Sequence, residues 1–164
     1  EFREKRKLEI EEEIRNLPNT IKETRPNPRS LVIYVPSTND AKYAHPSQYC
    51  WDDYLECDSR MKPKHPYDST LINLSTFTIT KGNIFELYVE RGRGTMPYPT
   101  KIEAYIYDKD KNLNFYQSFD VITDEDIITV TLPKEPKVYM FQFKVFYTDA
   151  IQGLSYHPSS IVKK

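Results

Sequence analysis

The sequence predicts an all-β protein, an immunoglobulin-like antiparallel β-sandwich of about seven to nine strands behind a short N-terminal α-helical arm. Three observations predict this fold. Segments of alternating apolar and polar residues recur about every ten residues, with turn-forming residues between them. No amphipathic segment of helical length separates these segments, which excludes parallel βαβ units. The 164 residues include thirteen Tyr and eight Phe but only four Gly, and the length fits one domain plus an arm.

The first 17 residues are predicted to form the helical arm. Its apolar residues share one helix face, and most other residues of the segment are charged. This apolar stripe consists of Ile10, Ile14, Leu17 and Ile21. Pro18 ends or kinks the helix, and the segment up to residue 30 is predicted to be an extended connector. The predicted boundary separates an arm and linker, 1–29, from a sandwich, 30–164. We expect the arm to dock on the sandwich or fray, with a juxtamembrane or coiled-coil stalk as the alternative.

Eight segments after the connector are predicted to be strands. They are residues 31–35, 70–80, 84–89, 100–107, 113–119, 127–132, 138–148 and 154–162. The segment Asp108–Asn112 is rich in turn-forming residues, so it is predicted to join its two neighbouring strands as a hairpin. The segment 138–148 has the strictest alternation and is predicted to be a central strand. Its inward face consists of Tyr139, Phe141, Phe143, Val145 and Tyr147.

Cys50 and Cys57 are the two cysteines of the chain. Their spacing fits neither a zinc site, which needs more soft ligands, nor a redox pair, which has two intervening residues. A local disulfide and two free thiols remain. The even number of cysteines in a small, Tyr-rich β chain favours the disulfide, and with it an oxidising compartment. Trp51 is predicted to pack beside the bridge against the face formed by Phe141, Phe143 and Val145.

Acidic residues near the cysteines are weak candidates for a calcium site, because calcium prefers carboxylate oxygens. These candidates are Asp52, Asp53, Glu56 and Asp58. The favoured interpretation is the ordinary surface acidity of a polar loop, so no metal and no other cofactor is predicted. Asp108, Asp110 and Asn112 imitate the start of a calcium loop, but the Gly and Glu that such a loop needs are absent. That segment is therefore predicted to be a solvated hairpin turn.

No catalytic residue is predicted. The three His, His45, His65 and His157, each precede a Pro. No triad order, metal motif, nucleophile elbow or phosphate loop accompanies them. The carboxylate pair of a glycoside hydrolase meets only in the fold, so a small hydrolase stays an alternative. We expect a protein that is not an enzyme.

Tyrosines in loop-like contexts are predicted to contact a ligand, because Tyr offers a large contact area at a small entropic cost. The candidates are Tyr43, Tyr54, Tyr67, Tyr98 and Tyr156. Arg91 and Arg93 lie in a short basic turn and are further candidates, for an anionic polymer or a phosphate group. The competing interpretations are that the tyrosines cap the ends of the sandwich and that the basic segment is a plain turn.

The balance of charge limits the partners. With 23 Lys and Arg against 24 Asp and Glu, the net charge of −1 indicates neither a nucleic-acid footprint nor an acidic tail. The mean hydropathy is −0.68, and no apolar run approaches the roughly 18 residues that a membrane span needs. The first residues lack the apolar region of a signal peptide, so we expect an export signal, lipid anchor or membrane helix upstream.

Several short motifs resemble a known group of proteins. The motifs are Gln48-Tyr49-Cys50-Trp51, Cys57-Asp58, a Pro before Thr100-Lys101-Ile102, and Leu132-Pro133 ahead of an aromatic strand. They resemble uncharacterised extracytoplasmic lipoproteins of low-GC Gram-positive, Bacillus-type bacteria, in which such motifs lie in a compact all-β domain. The resemblance covers residues 47–162 and implies a disulfide and a location outside the cell membrane.

The sequence therefore predicts a non-enzymatic binding domain on the outer face of the cell membrane, held there by an anchor outside this chain. Its partner is expected to be a protein or another cell-envelope component, and no nucleic acid. The alternative is the extracytoplasmic sensor domain of a membrane-spanning regulator, in which the arm transmits a signal.

Overall fold

The computed structural model describes residues 5–6, 27–52, 54–68, 71, 76–80, 82–90, 98–121, 127–134, 137–148 and 152–163. Within these ranges the chain forms ten β-strands, and a short helix, α1 (Tyr54–Arg60), follows the third strand. The strands are β1 (Leu31–Val35), β2 (Asp40–Ala44), β3 (Gln48–Cys50), β4 (Thr76–Ile79), β5 (Ile84–Val89), β6 (Lys101–Tyr107), β7 (Leu113–Asp120), β8 (Ile128–Thr131), β9 (Val138–Thr148) and β10 (Gln152–Lys163).

The described strands form two sheets that enclose one hydrophobic core. The first sheet has the order β2-β1-β5-β8, and the second has the order β3-β10-β9-β6-β7. Strand β4 joins the second sheet by a parallel pairing with β10, whereas the other described pairings are antiparallel. Two facing sheets with a shared core confirm the predicted all-β sandwich.

Strand β9 is central, as its alternation predicts, because it lies between β10 and β6. The whole predicted inward face of β9 is buried. Phe85, from β5 of the opposite sheet, contacts this face, with ring centroids 5.7 Å from Phe141 and 6.4 Å from Phe143. Edge-to-face aromatic pairs of this kind add about 0.5–1.5 kcal/mol to the burial of their area. Aromatic residues thus hold the two sheets together.

Strand β10 is buried on both faces. Its inner side faces the core, and α1 packs against its outer side. On the neighbouring strand, Gln142 donates a hydrogen bond of 2.8 Å from Nε2 to the carbonyl oxygen of Lys64 in the segment that follows α1. The helix α1, which contains Cys57, and the segment around Lys64 therefore cover part of the outer face of the second sheet.

The elements β2, β3 and α1 are additions to the predicted strands. Strand β2 pairs only with β1 in the first sheet, and most of its side chains are exposed or half-buried. Strand β3 has three residues and α1 has seven, too few for a clear periodic pattern or for a helix that is stable alone. Tertiary contacts therefore determine these three elements. Of the predicted strand 70–80, the part that forms β4 is Thr76–Ile79.

The hairpin between β6 and β7 has the predicted turn. The Oδ1 atom of Asp108 accepts hydrogen bonds of 2.9 Å from the backbone N–H groups of Asp110 and Asn112, and Oδ2 accepts one of 3.2 Å from Asn114. These bonds favour the ionised carboxylate and hold the pKa of Asp108 below its usual range. The Asp108 carboxylate thus organises the turn.

The chain enters the sandwich at a buried arginine. Arg29 donates a hydrogen bond of 3.0 Å from Nη1 to the carbonyl oxygen of Glu90, and its guanidinium carbon lies 4.5 Å from the ring centroid of Tyr98. Burial and the positive charge of Arg6 lower the pKa of Arg29. Arg6 and Lys5 are the described residues of the arm, and Arg6 also lies over the Tyr98 ring at 5.3 Å. The apolar stripe of the arm lies outside the described residues.

Candidate functional site

The predicted disulfide between Cys50 and Cys57 is present, with 5.6 Å between the two Cα atoms. Cys50 ends β3, and Cys57 lies in the middle of α1. The bridge therefore ties this short helix to the edge of the second sheet. Near the bridge, Asp52, which follows β3, contacts Arg60, the last residue of α1.

Trp51 forms the floor of the site. Its side chain is 7% exposed, and its ring packs edge-on against Tyr147 with the centroids 4.8 Å apart. Tyr147 is the last residue of the inward face of β9, so Trp51 packs beside the bridge at one end of that face. Strand β10 passes so closely that a Cβ atom on Gly153 would lie 2.6 Å from the Trp51 ring and 2.2 Å from the carbonyl oxygen of Cys50. A glycine is therefore required at this position.

A cleft of about 430 Å³ opens above this floor. It is lined by Tyr49, Cys50, Trp51, Asp52, Arg60 and Met61. The Tyr49 side chain is 43% exposed, and its hydroxyl donates a hydrogen bond of 3.0 Å to Asn27 Oδ1. Small-molecule sites typically have volumes of about 300–1,000 Å³, with an aromatic lining and a few convergent polar groups. The cleft has the size and composition of such a site.

An ion pair forms the polar wall of the cleft. Arg60 Nη2 lies 2.6 Å from Asp52 Oδ2, and Arg60 Nε donates a hydrogen bond of 3.4 Å to the carbonyl oxygen of Glu56. Both side chains of the pair are about half exposed, at 58% for Arg60 and 48% for Asp52. Exposed pairs of this kind contribute little to stability, so the free energy of folding does not explain the pair. Its position in the cleft makes it available to a ligand.

Asp58, another of the acidic candidates, bonds to residues of β9 and β10 and does not line the cleft. Asp58 Oδ1 accepts hydrogen bonds from Lys144 Nζ, at 2.8 Å, and from the Tyr156 hydroxyl, at 3.1 Å. These partners, Lys144 above all, hold the pKa of Asp58 below its usual range. In the part of the chain that the structure describes, no group of three acidic, His or Cys side chains lies close enough to share a metal ion. Of the four calcium candidates, Asp53 lies outside the described residues.

The tyrosine candidates are in different environments. Tyr43 and Tyr67 are exposed, at 48% and 68%, as expected. The expected exposure is wrong for Tyr98 and Tyr156, which are 7% and 4% exposed. Tyr98 lies beneath the guanidinium groups described above, and Tyr156 is covered by α1, whose Asp58 accepts its hydroxyl hydrogen bond. The structure does not bring Tyr43, Tyr67, Tyr98 and Tyr156 together in the cleft.

Three other candidates lie partly or wholly outside the described residues. Arg91 and Arg93 are outside them, and of Tyr54 the structure describes only the backbone, at the start of α1. The sequence prediction missed Tyr49 and Arg60, which line the cleft. One local feature could have identified them, since both are close in sequence to the disulfide and to the only Trp of the chain.

A hydrogen-bonded Ser–His pair is present, but it lies inside the core. Ser155 Oγ is 2.8 Å from His157 Nε2, and His157 Nδ1 is 2.9 Å from the carbonyl oxygen of Ala44. Both side chains are fully buried. Burial lowers the pKa of His157 to about 4, so the ring is neutral at neutral pH. A substrate has no access to this pair, and we assign it a structural role.

The comparisons with known proteins leave the family open. No model of a known protein family matches this chain, and no curated protein matches it in sequence. Among the described residues, no helix has the length and apolar character that crossing a membrane requires.

Proposed function

We propose that this chain is a non-enzymatic, extracytoplasmic binding domain of a membrane-anchored bacterial envelope protein. The observation that carries the proposal is the cleft of Tyr49, Trp51, Asp52 and Arg60 beside the disulfide. An exposed aromatic ring, a fixed floor and a half-exposed ion pair are the features of a recognition site. The partner is a protein or another component of the cell envelope.

The disulfide supports the extracytoplasmic location. Disulfides persist in oxidising compartments and are rare in a reducing cytosol. The resemblance of the Tyr49-Cys50-Trp51 and Cys57-Asp58 motifs to envelope lipoproteins agrees with this location. An anchor outside this chain then holds the domain at the outer face of the membrane.

The placement of the nucleophile and base candidates supports binding rather than catalysis. The hydrogen-bonded pair Ser155 and His157 has no exposed surface. Among the described residues that line the cleft, Asp52 is the one carboxylate, and Arg60 is paired with it. General acid–base hydrolysis of a glycoside uses two carboxyl groups across the reacting bond, and the described part of the lining supplies one.

A sensor domain of a membrane-spanning regulator is the second candidate function. The observation that favours it is the stacking of Arg6, from the arm, and Arg29, from the sandwich entrance, on the ring of Tyr98. This contact links the arm to the body and offers a route for a signal. The full-length sequence distinguishes the two candidates: a cytoplasmic domain and membrane helix upstream favour the sensor, and a lipidated cysteine favours the anchored binding domain.

Co-sedimentation tests the binding function. The purified protein is mixed with isolated bacterial envelopes and centrifuged, and the variants Tyr49→Ala and Tyr43→Ala are compared with the wild type. The two tyrosines are matched in exposure, at 43% and 48%, but only Tyr49 lines the cleft. We expect Tyr49→Ala to lose sedimentation and Tyr43→Ala to keep it.

Treatment of the envelopes with protease before mixing then separates a protein partner from a polymer. Absence of sedimentation of the wild type, or equal loss in both variants, contradicts the proposal. Thermal melts of each variant test whether unfolding causes a loss of sedimentation. We expect little change in melting temperature, because both side chains lie at the surface.

A further inference from the structure

The charges in the cleft cancel each other. Among the described residues of its lining, the charged ones are Asp52 and Arg60, and they form an ion pair with 2.6 Å between Oδ2 and Nη2. A ligand with a net charge therefore gains little net attraction from this pair. The lining favours an uncharged ligand.

The pair nevertheless keeps hydrogen-bonding capacity. Within the described part of the chain, Asp52 Oδ1 and Arg60 Nη1 hold no hydrogen bond. One is an acceptor and the other is a donor, and they belong to the two planar groups joined by the contact between Oδ2 and Nη2. Two neighbouring hydroxyl groups of a ligand, one donating and one accepting, match this arrangement.

The aromatic residues supply a surface rather than a deep pocket. Trp51 is 7% exposed and serves as the floor, whereas Tyr49 is 43% exposed and offers its ring to the cleft. The Tyr49 hydroxyl is held by Asn27, which limits the orientations of the ring. A flat molecule with one apolar face can stack on such a ring. A bulky aliphatic side chain would bury little of its surface there.

We propose that the cleft binds a neutral oligosaccharide. A pyranose ring has an apolar C–H face and hydroxyl groups at its rim, and it carries no charge. Its face stacks on Tyr49, and adjacent hydroxyl groups bond to Asp52 and Arg60. This inference rests on the proposed binding function and names the ligand class for the same cleft.

Calorimetric titration with soluble tetrasaccharides tests this inference. The probes are the β-linked tetramers of glucose, N-acetylglucosamine and mannose, with tetragalacturonate as the acidic comparator. We expect at least one neutral probe to bind the wild type and tetragalacturonate not to bind. Tyr49→Ala should lower the affinity at least about tenfold, and Tyr49→Phe, which keeps the ring, should change it by less than about threefold. Tyr43→Ala serves as the matched control without effect.

Salt provides an independent readout of ligand charge. The affinity for the neutral probe should change by less than about twofold between ~50 and ~500 mM NaCl, because screening acts on charged ligands. The inference is overturned if no neutral probe binds or if tetragalacturonate alone binds. If the probes fail while envelopes still sediment the protein in a Tyr49-dependent manner, the ligand class is wrong and the binding function stands. If neither binds, both proposals fail.

Discussion

A hydrogen bond between His157 and Ala44 joins the two sheets through the interior of the sandwich. The Nδ1 atom of His157, on β10, lies 2.9 Å from the carbonyl oxygen of Ala44, on β2. A carbonyl oxygen only accepts, so Nδ1 carries the proton and Nε2 is an acceptor. The tautomer of this neutral ring is therefore fixed by its partner.

The tautomer sets the direction of the neighbouring hydrogen bonds. Because Nε2 accepts, Ser155 donates its hydroxyl proton to His157 over 2.8 Å. The Tyr147 hydroxyl then donates to Ser155 Oγ over 3.3 Å and accepts from the backbone N–H of Arg29. Because Nε2 of His157 is occupied as an acceptor, a second proton on the ring would remove the hydrogen bond that Ser155 donates.

The first prediction concerns pH. The pKa of His157 is about 4 in the folded protein, against about 6.5 in an unfolded chain. Between these values the unfolded chain binds more protons, so the free energy of unfolding rises with pH in this window and levels off above it. The difference corresponds to about 3 kcal/mol lost between roughly pH 6.5 and 4. Urea denaturation across this range measures it.

The matched variant for this prediction is His157→Gln. An amide can still donate to Ala44 but does not titrate, so the difference in stability between wild type and variant should shrink as the pH falls. Carboxylates such as Asp58 contribute to both proteins and cancel in this difference. A pH-independent difference, or a His157 ring signal in NMR that titrates near 6.5, contradicts the assignment.

The second prediction compares two glycines. A Cβ at position 153 meets the backbone oxygen of Cys50 at 2.2 Å, and a backbone atom cannot move aside cheaply. Gly153→Ala should therefore lower the free energy of unfolding by about 3 kcal/mol. Gly82 has a φ of +80° but open space around it, so Gly82→Ala should cost only about 1 kcal/mol of backbone strain. Chemical denaturation measures the loss of unfolding free energy in each variant. Equal losses would show that β10 is not in close contact with Trp51 and Cys50.

The fold was more predictable than the site because burial on one face of a strand is visible in the sequence itself. The alternation in 138–148 predicted both ends of β9, the alternation in 84–89 predicted β5, and the β-branched residues of 31–35 predicted β1. The pattern of β2 carries no such information, because edge position leaves its side chains largely exposed. The short helix α1 depends on the disulfide and on contacts with β10.

The site depends on residues that meet only after folding. The bridge between Cys50 and Cys57 was predictable from the number of cysteines, but the cleft beside it was not. Tyr98 and Tyr156 have polar or Pro-containing neighbours in sequence, which favours exposure. Groups that are distant in sequence bury them: Arg29 lies over Tyr98, and α1 lies over Tyr156. The local sequence pattern does not predict such contacts.

The third prediction concerns the arm. Deletion of residues 1–25 removes the contact of Arg6 with Tyr98 but keeps Arg29, whose buried guanidinium bonds to Glu90. We expect the truncated protein to fold, with a melting temperature within a few degrees of the full chain, because one cation–π contact contributes about 0.5–2 kcal/mol. Arg29→Ala is the contrasting variant and should cost more, since it empties a buried position. If the truncated protein is unfolded, the arm is part of the core and the prediction is wrong.

The fourth prediction concerns the disulfide and the cleft together. Replacement of Cys50 and Cys57 by Ala should lower the free energy of unfolding by about 2–3 kcal/mol, because the unfolded chain regains the freedom of the opened loop. The helix α1 is too short to persist alone, so amide exchange should rise first in α1 while β9 stays protected. Arg60 then loses its fixed position beside Asp52, and envelope sedimentation should weaken even where the sandwich remains folded.

The control variant is Lys144→Ala, which removes the ion pair between Lys144 and Asp58 of α1 and leaves the bridge intact. If the Ala pair keeps α1 protected and the wild-type binding, the bridge does not position the cleft.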